Sequence, residues 1–235
     1  WAHRRTYEPV VLNTGITLGI GHFQKDSSLF RQPPFNMVTL AEAWGKYDRK
    51  TEPLPLDGQP RGLDNLDEII ASHVTEASGF LIEIGAYDGI DQTNSALFEA
   101  KGWKGMLIEA NPGSYARCAK ARPGMIVENY ACVSREFSDD HVTITDVGLM
   151  SMTGTSNFDD ETRSDWIKRG EGFFKRQAQE LDVPVITMSE LLDKHDVEDV
   201  DMLLLDVEGA ELDVLQGLDF ARHAPRYIVA EDAYT

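Results

Sequence analysis

The stretch FLIEIGAYDG, residues 80–89, decides the fold, because it joins a short apolar run to two closely spaced glycines. An apolar run that ends in a glycine turn and continues into helix-forming residues is typical of a strand–turn–helix unit in a parallel sheet. Similar runs follow at 105–110, 125–131, 201–206 and 227–231. Helical patterns separate most of them, at 92–101, 112–121, 189–194 and 210–218. This alternation predicts an α/β fold with a doubly wound, mainly parallel sheet.

Composition and charge narrow the possible partners. The 235 residues include 22 Lys and Arg against 40 Asp and Glu, a formal net charge of −18, and 42% are hydrophobic. Such acidity disfavours nucleic acid and anionic membrane surfaces and favours a small cationic or neutral ligand. The sequence has no membrane-spanning apolar run and no secretory signal pattern, and Cys118 and Cys132 do not form a metal-type pair. We expect a cytoplasmic protein by default, while the start at Trp1 leaves room for a missing upstream targeting or anchor segment.

The chain divides into an N-terminal extension and linker, residues 1–62, and a domain over 63–235 with an insertion at about 140–184. The extension has β-like stretches within 10–20 and a helical pattern at 37–47, and a further helix is predicted at 65–77. In the insertion, 141–147 alternates like a strand that pairs with 183–188, and 159–179 is helical with interruptions at Gly170 and Gly172. Two interpretations stay open for the insertion: a lid or substrate-binding element, or a decorated surface hairpin.

An acid at the end of the second run, Glu109, indicates a nucleoside-bearing cofactor. It follows Gly89 by the spacing at which a carboxylate accepts hydrogen bonds from ribose hydroxyls. A dinucleotide site needs a glycine where Tyr87 stands, and Glu83 and Asp88 place negative charge beside any diphosphate. S-adenosylmethionine (SAM) carries no phosphate and has a sulfonium and an ammonium group, which these acids favour. The plain alternative is a tight turn with incidental acids.

The fourth run delivers a second acidic motif, DVEGAE at 206–211, to the carboxyl edge of the sheet. If the strands lie in the order 3-2-1-4-5, the first and fourth flank the point where open α/β sheets bind ligands. Asp206 is then expected opposite Gly85, within reach of cofactor and acceptor. Ordinary helix capping by Asp206 and Glu208 is the alternative.

Several blocks together resemble one family. They are EIGAYDG at 83–89, TNS at 93–95, GWKG at 102–105, IEANP at 108–112 and LDVEGAE at 205–211. In this order they resemble the FkbM family of SAM-dependent methyltransferases, over about residues 79–231. The resemblance implies a Rossmann-like class I methyltransferase fold and O-methylation of a hydroxyl on a sugar, a glycan or a related natural product.

The resemblance also implies roles for single residues. Glu83, Gly85 and Gly89 shape the cofactor turn, Glu109 holds the ribose and Asn111 lies near the adenine. Residues 129–131 edge the adenine pocket, and Thr93 and Asn94 reach the methionine carboxylate. The implied cofactor-binding residues are Glu83, Gly85, Ala86, Tyr87, Asp88, Gly89, Thr93, Asn94, Glu109, Ala110, Asn111, Asn129, Tyr130, Ala131 and Asp206.

Two departures from the family pattern stand out. Residue 83 is Glu where Asp is more usual, and the chain ends at Thr235, soon after the fifth run. A full class I domain normally adds a helix and two strands there. Either the fold is truncated after the fifth strand, or the β-like stretch within 10–20 completes the sheet edge.

The predicted function is SAM-dependent O-methylation of a small-molecule or glycan acceptor, with S-adenosylhomocysteine as the second product. Asp206 and Glu208 are the candidates for the general base or for orienting the acceptor. Two interpretations stay open for Asp206, Glu231 and Asp232: they hold Mg²⁺ or Ca²⁺, or they bind the cofactor or are solvated. We assign no metal ligands from the sequence. A non-catalytic scaffold and a nicotinamide-dependent oxidoreductase are the competing functions, and the oligomeric state stays open.

Overall fold

The computed structural model describes residues 8–11, 16–20 and 53–231, with the backbone alone for the first two ranges. The strands are β1 Glu8–Val11, β2 Ile16–Ile20, β3 Phe80–Ile84, β4 Lys104–Ile108, β5 Ile126–Glu128, β6 Ala131–Cys132, β7 His141–Asp146, β8 Met152–Thr153, β9 Gln179–Ile186, β10 Met202–Leu205 and β11 Tyr227–Glu231. The helices are α1 Leu66–His73, α2 Ala96–Ala100, α3 Pro112–Ala121, α4 Asp160–Phe174, α5 Met188–Lys194, α6 Glu211–Gln216 and α7 Phe220–His223. Short 3₁₀ turns lie at Leu63–Asn65 and Gly148–Met150. None of these described helices has the length and apolar character that crossing a bilayer requires.

The main sheet has seven strands in the order β1-β2-β11-β10-β3-β4-β5. Strands β11, β10, β3, β4 and β5 are parallel, and β2 pairs antiparallel with β11 and with β1. The chain is therefore a mixed α/β fold built on a parallel sheet. The N-terminal stretch supplies β2 beside β11 and β1 at the edge, as one of the two alternatives for this sheet edge expected.

The central strands are apolar throughout because both of their faces are covered. Alternate residues of β3 and β10 enter opposite cores: Ile82 and Leu203 pack with helices α5 and α6, while Leu81 and Leu204 pack with α1, α2 and α3. Each of these four side chains is at most 3% exposed. Continuous apolar runs are therefore what a sheet covered on both faces requires.

A second sheet, in the order β6-β9-β7-β8, holds the insertion. Strands β7 and β9 pair antiparallel with Val142 opposite Val183, which confirms the expected pairing, although β9 begins already at Gln179. The expected helix interruptions are wrong, because α4 runs unbroken through Gly170 and Gly172. Gly170 instead permits close packing, since a Cβ there would lie 2.8 Å from the Cβ of Val147.

Three further segments differ from expectation. The run at 125–131 divides between the two sheets, as β5 and β6. Helix α2 begins at Ala96 rather than residue 92, because residues 93–95 turn back to hydrogen-bond Glu83. Helix α1 ends at His73 rather than residue 77. The helix expected at 37–47 lies outside the described residues.

Candidate functional site

A cavity of about 610 Å³ opens at the carboxyl ends of strands β3, β4, β10 and β11. This is the edge at which open α/β sheets bind ligands. The expected site residues that line it are Glu83, Gly85, Ala86, Tyr87, Thr93, Glu109, Ala110, Tyr130, Ala131, Asp206 and Glu208. Residues taken from five separate stretches of the chain therefore meet around one cavity.

The glycine turn is required by the approach of two strands. Gly85 has φ +87°, and a Cβ there would lie 1.8 Å from the main-chain oxygen of Asp206. The N–H groups of Gly85 and Ala86 both donate to the Ile108 oxygen, at 3.0 and 3.1 Å. The ends of β3, β4 and β10 are thereby drawn together beneath the cavity.

Asp88 and Gly89, which were expected to bind the cofactor, are not among the described residues that line the cavity. The Asp88 carboxylate accepts from the N–H groups of Ile90 and Asp91, at 3.0 and 2.9 Å, and so closes the turn. Gly89 has φ +73°, and a Cβ there would lie 2.9 Å from both Arg122 Cγ and Cys118 Sγ. Both residues shape the turn, which is the role expected for Gly89, and cofactor binding by Asp88 stays a prediction.

Asn111 and Asn129 also do not line the cavity. The Asn111 side chain caps α3 by accepting from the N–H groups of Gly113 and Ser114, at 2.8 and 3.2 Å. The Asn129 amide donates to the main-chain oxygen of Glu109 at 2.8 Å and to that of Ala110 at 2.9 Å. Their side chains therefore hold the strand ends in place, and the expected adenine contacts stay predictions.

Glu83 holds a segment of the cavity wall in place through hydrogen bonds. Its carboxylate is 5% exposed and accepts from Thr93 Oγ1 at 2.8 Å, Ser95 Oγ at 2.5 Å and the Asn94 N–H at 2.8 Å. Thr93 lines the main cavity, whereas the Asn94 side chain lines a smaller cavity of about 70 Å³, and its buried Oδ1 has no hydrogen-bond partner in the part of the chain that the structure describes. Glu83 thus holds the 93–95 segment against the sheet, and Asn94 is set apart from the main cavity.

Sequence reasoning missed Arg122, which is 1% exposed and contacts this segment. Its guanidinium donates to Glu99 at 2.5 Å, to Thr93 and Ser95 at 3.1 Å and to the Gly89 oxygen at 3.2 Å. A buried charge of this kind is stable only when it is paired and fully hydrogen-bonded. Arg122 therefore joins the glycine turn to the 93–95 segment.

Glu109 reaches the cavity from the end of β4 with both oxygens already oriented. Its carboxylate accepts from the N–H groups of Tyr87 and Asn111, each at 2.7 Å. Burial raises its pKa to about 7, against the opposing effect of these two N–H groups and of the Arg117 charge. Each carboxylate oxygen has capacity for a second donor, so Glu109 can still accept from two ligand hydroxyls.

Three carboxylates meet where β10 and β11 end. One oxygen each from Asp206, Glu208 and Glu231 lies within 4.8 Å of the other two. Asp206 is exposed within the cavity, whereas Glu208 is 9% exposed and its Oε2 has no hydrogen-bond partner among the described residues. Desolvation raises the pKa of Asp206, against the opposing effect of a hydrogen bond with Glu231, and the Glu83 charge adds to the rise. Burial raises the pKa of Glu208 more strongly, and the charges of Glu231, Asp206 and Glu211 add to that shift. No histidine is among the described residues that line this cavity.

The turn that carries Glu208 is held from two sides. Glu208 has φ +51°, a left-handed conformation that a side chain adopts only at a cost. Glu211 accepts from the N–H groups of Val207 and Gly209, at 3.1 and 3.3 Å. From the insertion, Ser156 Oγ donates to the Glu208 main-chain oxygen at 2.7 Å. The insertion and the acidic turn therefore hold each other.

The insertion forms the far wall of the cavity. Three residues on one face of α4 line it, Trp166, Arg169 and Phe173, and the segment 148–153 adds to the same wall. The indole Nε1 of Trp166 is buried and has no hydrogen-bond partner among the described residues, and its ring lies 5.6 Å from that of Phe158. Of the two interpretations of the insertion, the structure supports an element of the site over a surface hairpin.

Comparison with known families agrees with this geometry. The model described as Methyltransferase FkbM domain matches residues 83–234, about two thirds of the chain. The chain therefore belongs to the FkbM methyltransferase family. Searches of curated proteins and of solved structures found no match.

Proposed function

We propose that the protein transfers a methyl group from SAM to a hydroxyl of a sugar, a glycan or a related natural product. The observation that carries this proposal is the Glu109 carboxylate, held at the cavity by Tyr87 and Asn111. A carboxylate fixed in this way at the end of the second parallel strand suits the ribose hydroxyls of a nucleoside cofactor. A cavity of about 610 Å³ is in the range that encloses small cofactors.

The charges around the cavity fit SAM better than a dinucleotide. Glu109, Asp206 and Glu208 all line it, which favours a ligand that carries a sulfonium and an ammonium group. Tyr87 stands at the turn where a diphosphate would need a glycine, and its φ of +47° is left-handed although it bears a side chain. These features favour a methyltransferase over a nicotinamide oxidoreductase.

Asp206 is the residue that we assign to the acceptor proton. When bound, SAM supplies an electrophilic methyl group on a sulfonium, whose carbon–sulfur bond breaks with its electron pair kept by sulfur. Asp206 accepts the proton that the acceptor hydroxyl loses as its oxygen bonds to the methyl carbon. Desolvation at the end of the cavity raises the pKa of Asp206, which makes its carboxylate a stronger base than an aspartate in bulk water.

The far wall supports a hydroxylated acceptor. The aromatic rings of Trp166 and Phe173 offer apolar surfaces, and the unpartnered indole N–H of Trp166 offers one donor. Rings that combine an apolar face with a polar edge suit ligands that are themselves part apolar and part hydroxylated, such as sugars. We therefore place the acceptor between α4 and the acidic turn.

Calorimetry with SAM and S-adenosylhomocysteine is the first test, followed by transfer of a radiolabelled methyl group to a panel of hydroxylated sugars and glycans. We expect both nucleosides to bind and at least one hydroxylated acceptor to be labelled. Binding of neither nucleoside refutes the proposal, and binding of NAD in their place supports the oxidoreductase. Glu109→Gln, which keeps the size of the side chain, is expected to weaken SAM binding. Biological activity that survives Asp206→Ala and Glu109→Ala supports the scaffold.

A further inference from the structure

The group formed by Asp206, Glu208 and Glu231 has a geometry that a shared cation explains. Their oxygens lie within 4.8 Å of one another, although each carries a negative charge when ionised. Ionised carboxylates this close to one another require a proton or a cation between them. Mutual repulsion would otherwise separate them.

Glu208 provides the independent observation. Its side chain is nine-tenths buried, it lines the cavity, and its Oε2 is a buried acceptor without a partner among the described residues. The charges that act on it come from Glu231, Asp206 and Glu211, all of them carboxylates. A buried carboxylate oxygen without a donor is costly unless a ligand completes it. Among possible ligands, a metal ion satisfies several such oxygens at once.

We propose that Asp206, Glu208 and Glu231 bind one divalent cation of the oxygen-preferring type, and that this ion holds the acceptor hydroxyl for methyl transfer. The second half of this proposal rests on the proposed function, whereas the binding of the ion does not. The sequence placed Asp206 and Glu231 near one another but not Glu208, and Asp232 lies outside the described residues.

The size of the group suits a hard cation. Ca²⁺ takes carboxylate oxygens at about 2.4 Å, so oxygens bound to one ion lie at most about 4.8 Å apart, a limit that all three oxygens meet. Mg²⁺ binds the same kind of oxygen at about 2.1 Å. Because Asp206, Glu208 and Glu231 all line the cavity, an ion held by them lies beside the space assigned to the acceptor.

The chemistry of such an ion complements the proposed transfer. A hydroxyl bound to a divalent cation loses its proton more easily, since the cation stabilises the oxygen anion that remains. That proton passes to water, the oxygen forms its bond to the methyl carbon, and the carbon–sulfur electron pair stays on sulfur. In this form of the reaction Asp206 acts as a ligand of the ion and no longer needs to accept the proton itself.

The test is metal binding by the whole chain after treatment with a chelator and its removal. Mn²⁺ is the probe, because electron paramagnetic resonance counts the free ion directly. We expect one saturable Mn²⁺ site per chain, displaced by Mg²⁺ or Ca²⁺, and a rise in the unfolding temperature when the ion is added. Glu208→Gln is expected to weaken Mn²⁺ binding by about 10- to 100-fold or more, since it removes the charge of a ligand while the side chain keeps its size.

Glu211→Gln is the matched control. Glu211 lies on the same turn and is 8% exposed against 9% for Glu208, but it is not one of the three grouped carboxylates. Its glutamine still offers an oxygen to the Val207 and Gly209 N–H groups. We expect this variant to weaken Mn²⁺ binding less than Glu208→Gln does, because it removes a nearby charge but no ligand of the ion. Asp206→Asn serves as the second ligand variant if Glu208→Gln does not fold.

Two results overturn the metal site: no saturable Mn²⁺ binding, or binding that both Glu208→Gln and Asp206→Asn leave intact. SAM binding is measured in parallel with chelator present. Failure of the proposed function therefore shows as absence of SAM binding, while failure of the metal site shows as absence of Mn²⁺ binding. Full methyl transfer in chelator overturns the assigned role of the ion in holding the acceptor.

Discussion

Replacing Gly85 with alanine is the sharpest test of how the site is built. The new Cβ would lie 1.8 Å from the Asp206 oxygen and 3.6 Å from Val207 Cγ1. To reach the closest separation that real Cβ atoms adopt, 3.0 Å, the ends of β3 and β10 must move apart by about 1.2 Å. The φ of +87° adds backbone strain for any residue with a side chain.

The cost of Gly85→Ala follows from these two effects. Overpacking against main chain costs about 1–3 kcal/mol and the left-handed conformation about 1–2 kcal/mol, partly offset by the reduced freedom of the unfolded chain. The expected loss is about 2–4 kcal/mol, which lowers the unfolding temperature by about 5–15 °C in a domain of this size. Because Asp206 moves with the strand end, SAM affinity or the transfer rate is expected to fall by about 10- to 100-fold.

Alanine variants of two other glycines separate the effect on stability from the effect on the site. Gly102 has φ +94° with nothing within 4 Å of its Cβ position, so Gly102→Ala is expected to cost about 1 kcal/mol or less and to leave SAM affinity unchanged. Gly105 lies near the start of β4, at the end of the sheet away from the cavity, and its Cβ would lie 2.1 Å from the Leu81 oxygen. Gly105→Ala should therefore lower stability without weakening SAM binding. Calorimetric melting and SAM titration of the three variants check this, and the reasoning fails if Gly85→Ala resembles Gly102→Ala in both.

Three further predictions concern charge and acceptor binding. Because the pKa of Glu109 is raised to about 7, this group becomes protonated as the pH falls below 7. SAM affinity should then decrease by at most about tenfold per pH unit, and calorimetry of Glu109→Gln should show a weaker dependence of SAM affinity on pH. Arg122→Met leaves the buried Glu99 carboxylate unpaired and should lower the free energy of unfolding in urea by about 3–5 kcal/mol, with part of the loss recovered when Glu99→Gln is added. Trp166→Phe keeps an aromatic ring but removes the indole N–H, so the KM for the acceptor should rise by about 3- to 10-fold while the Kd for SAM stays unchanged. A changed Kd for SAM would show that Trp166 faces the cofactor instead.

Most of the main sheet was predictable from short stretches of sequence. The apolar runs at 80–86 and 201–206 reflect burial on both faces, which is a property of each strand and its immediate residues. The insertion was less predictable, because glycine normally destabilises a helix, whereas Gly170 allows α4 to pack closely against Val147. That contact depends on a segment brought in by the tertiary fold.

The candidate site residues likewise include some whose position was predictable from the sequence and some whose position was not. Glu109 and Asp206 were found because the ends of parallel strands gather at one edge, a consequence of topology alone. Asn111 and Asn129 share their chemistry with ligand-binding residues, but asparagine serves equally well to satisfy main-chain groups, as both do here. Residue type did not distinguish these two uses.

The sequence by itself determined the parallel α/β core, the glycine turn and the FkbM family, because each depends on residues that are neighbours in the chain. The tertiary structure alone decided that Arg122 stands beneath the turn, that α4 forms the far wall, and that Glu208 joins Asp206 and Glu231. Charge interactions act through space and depend on burial, so their partners are set by packing between distant segments. Because that packing buries a charge or leaves an oxygen without a donor, it gave this cavity the chemistry proposed for it.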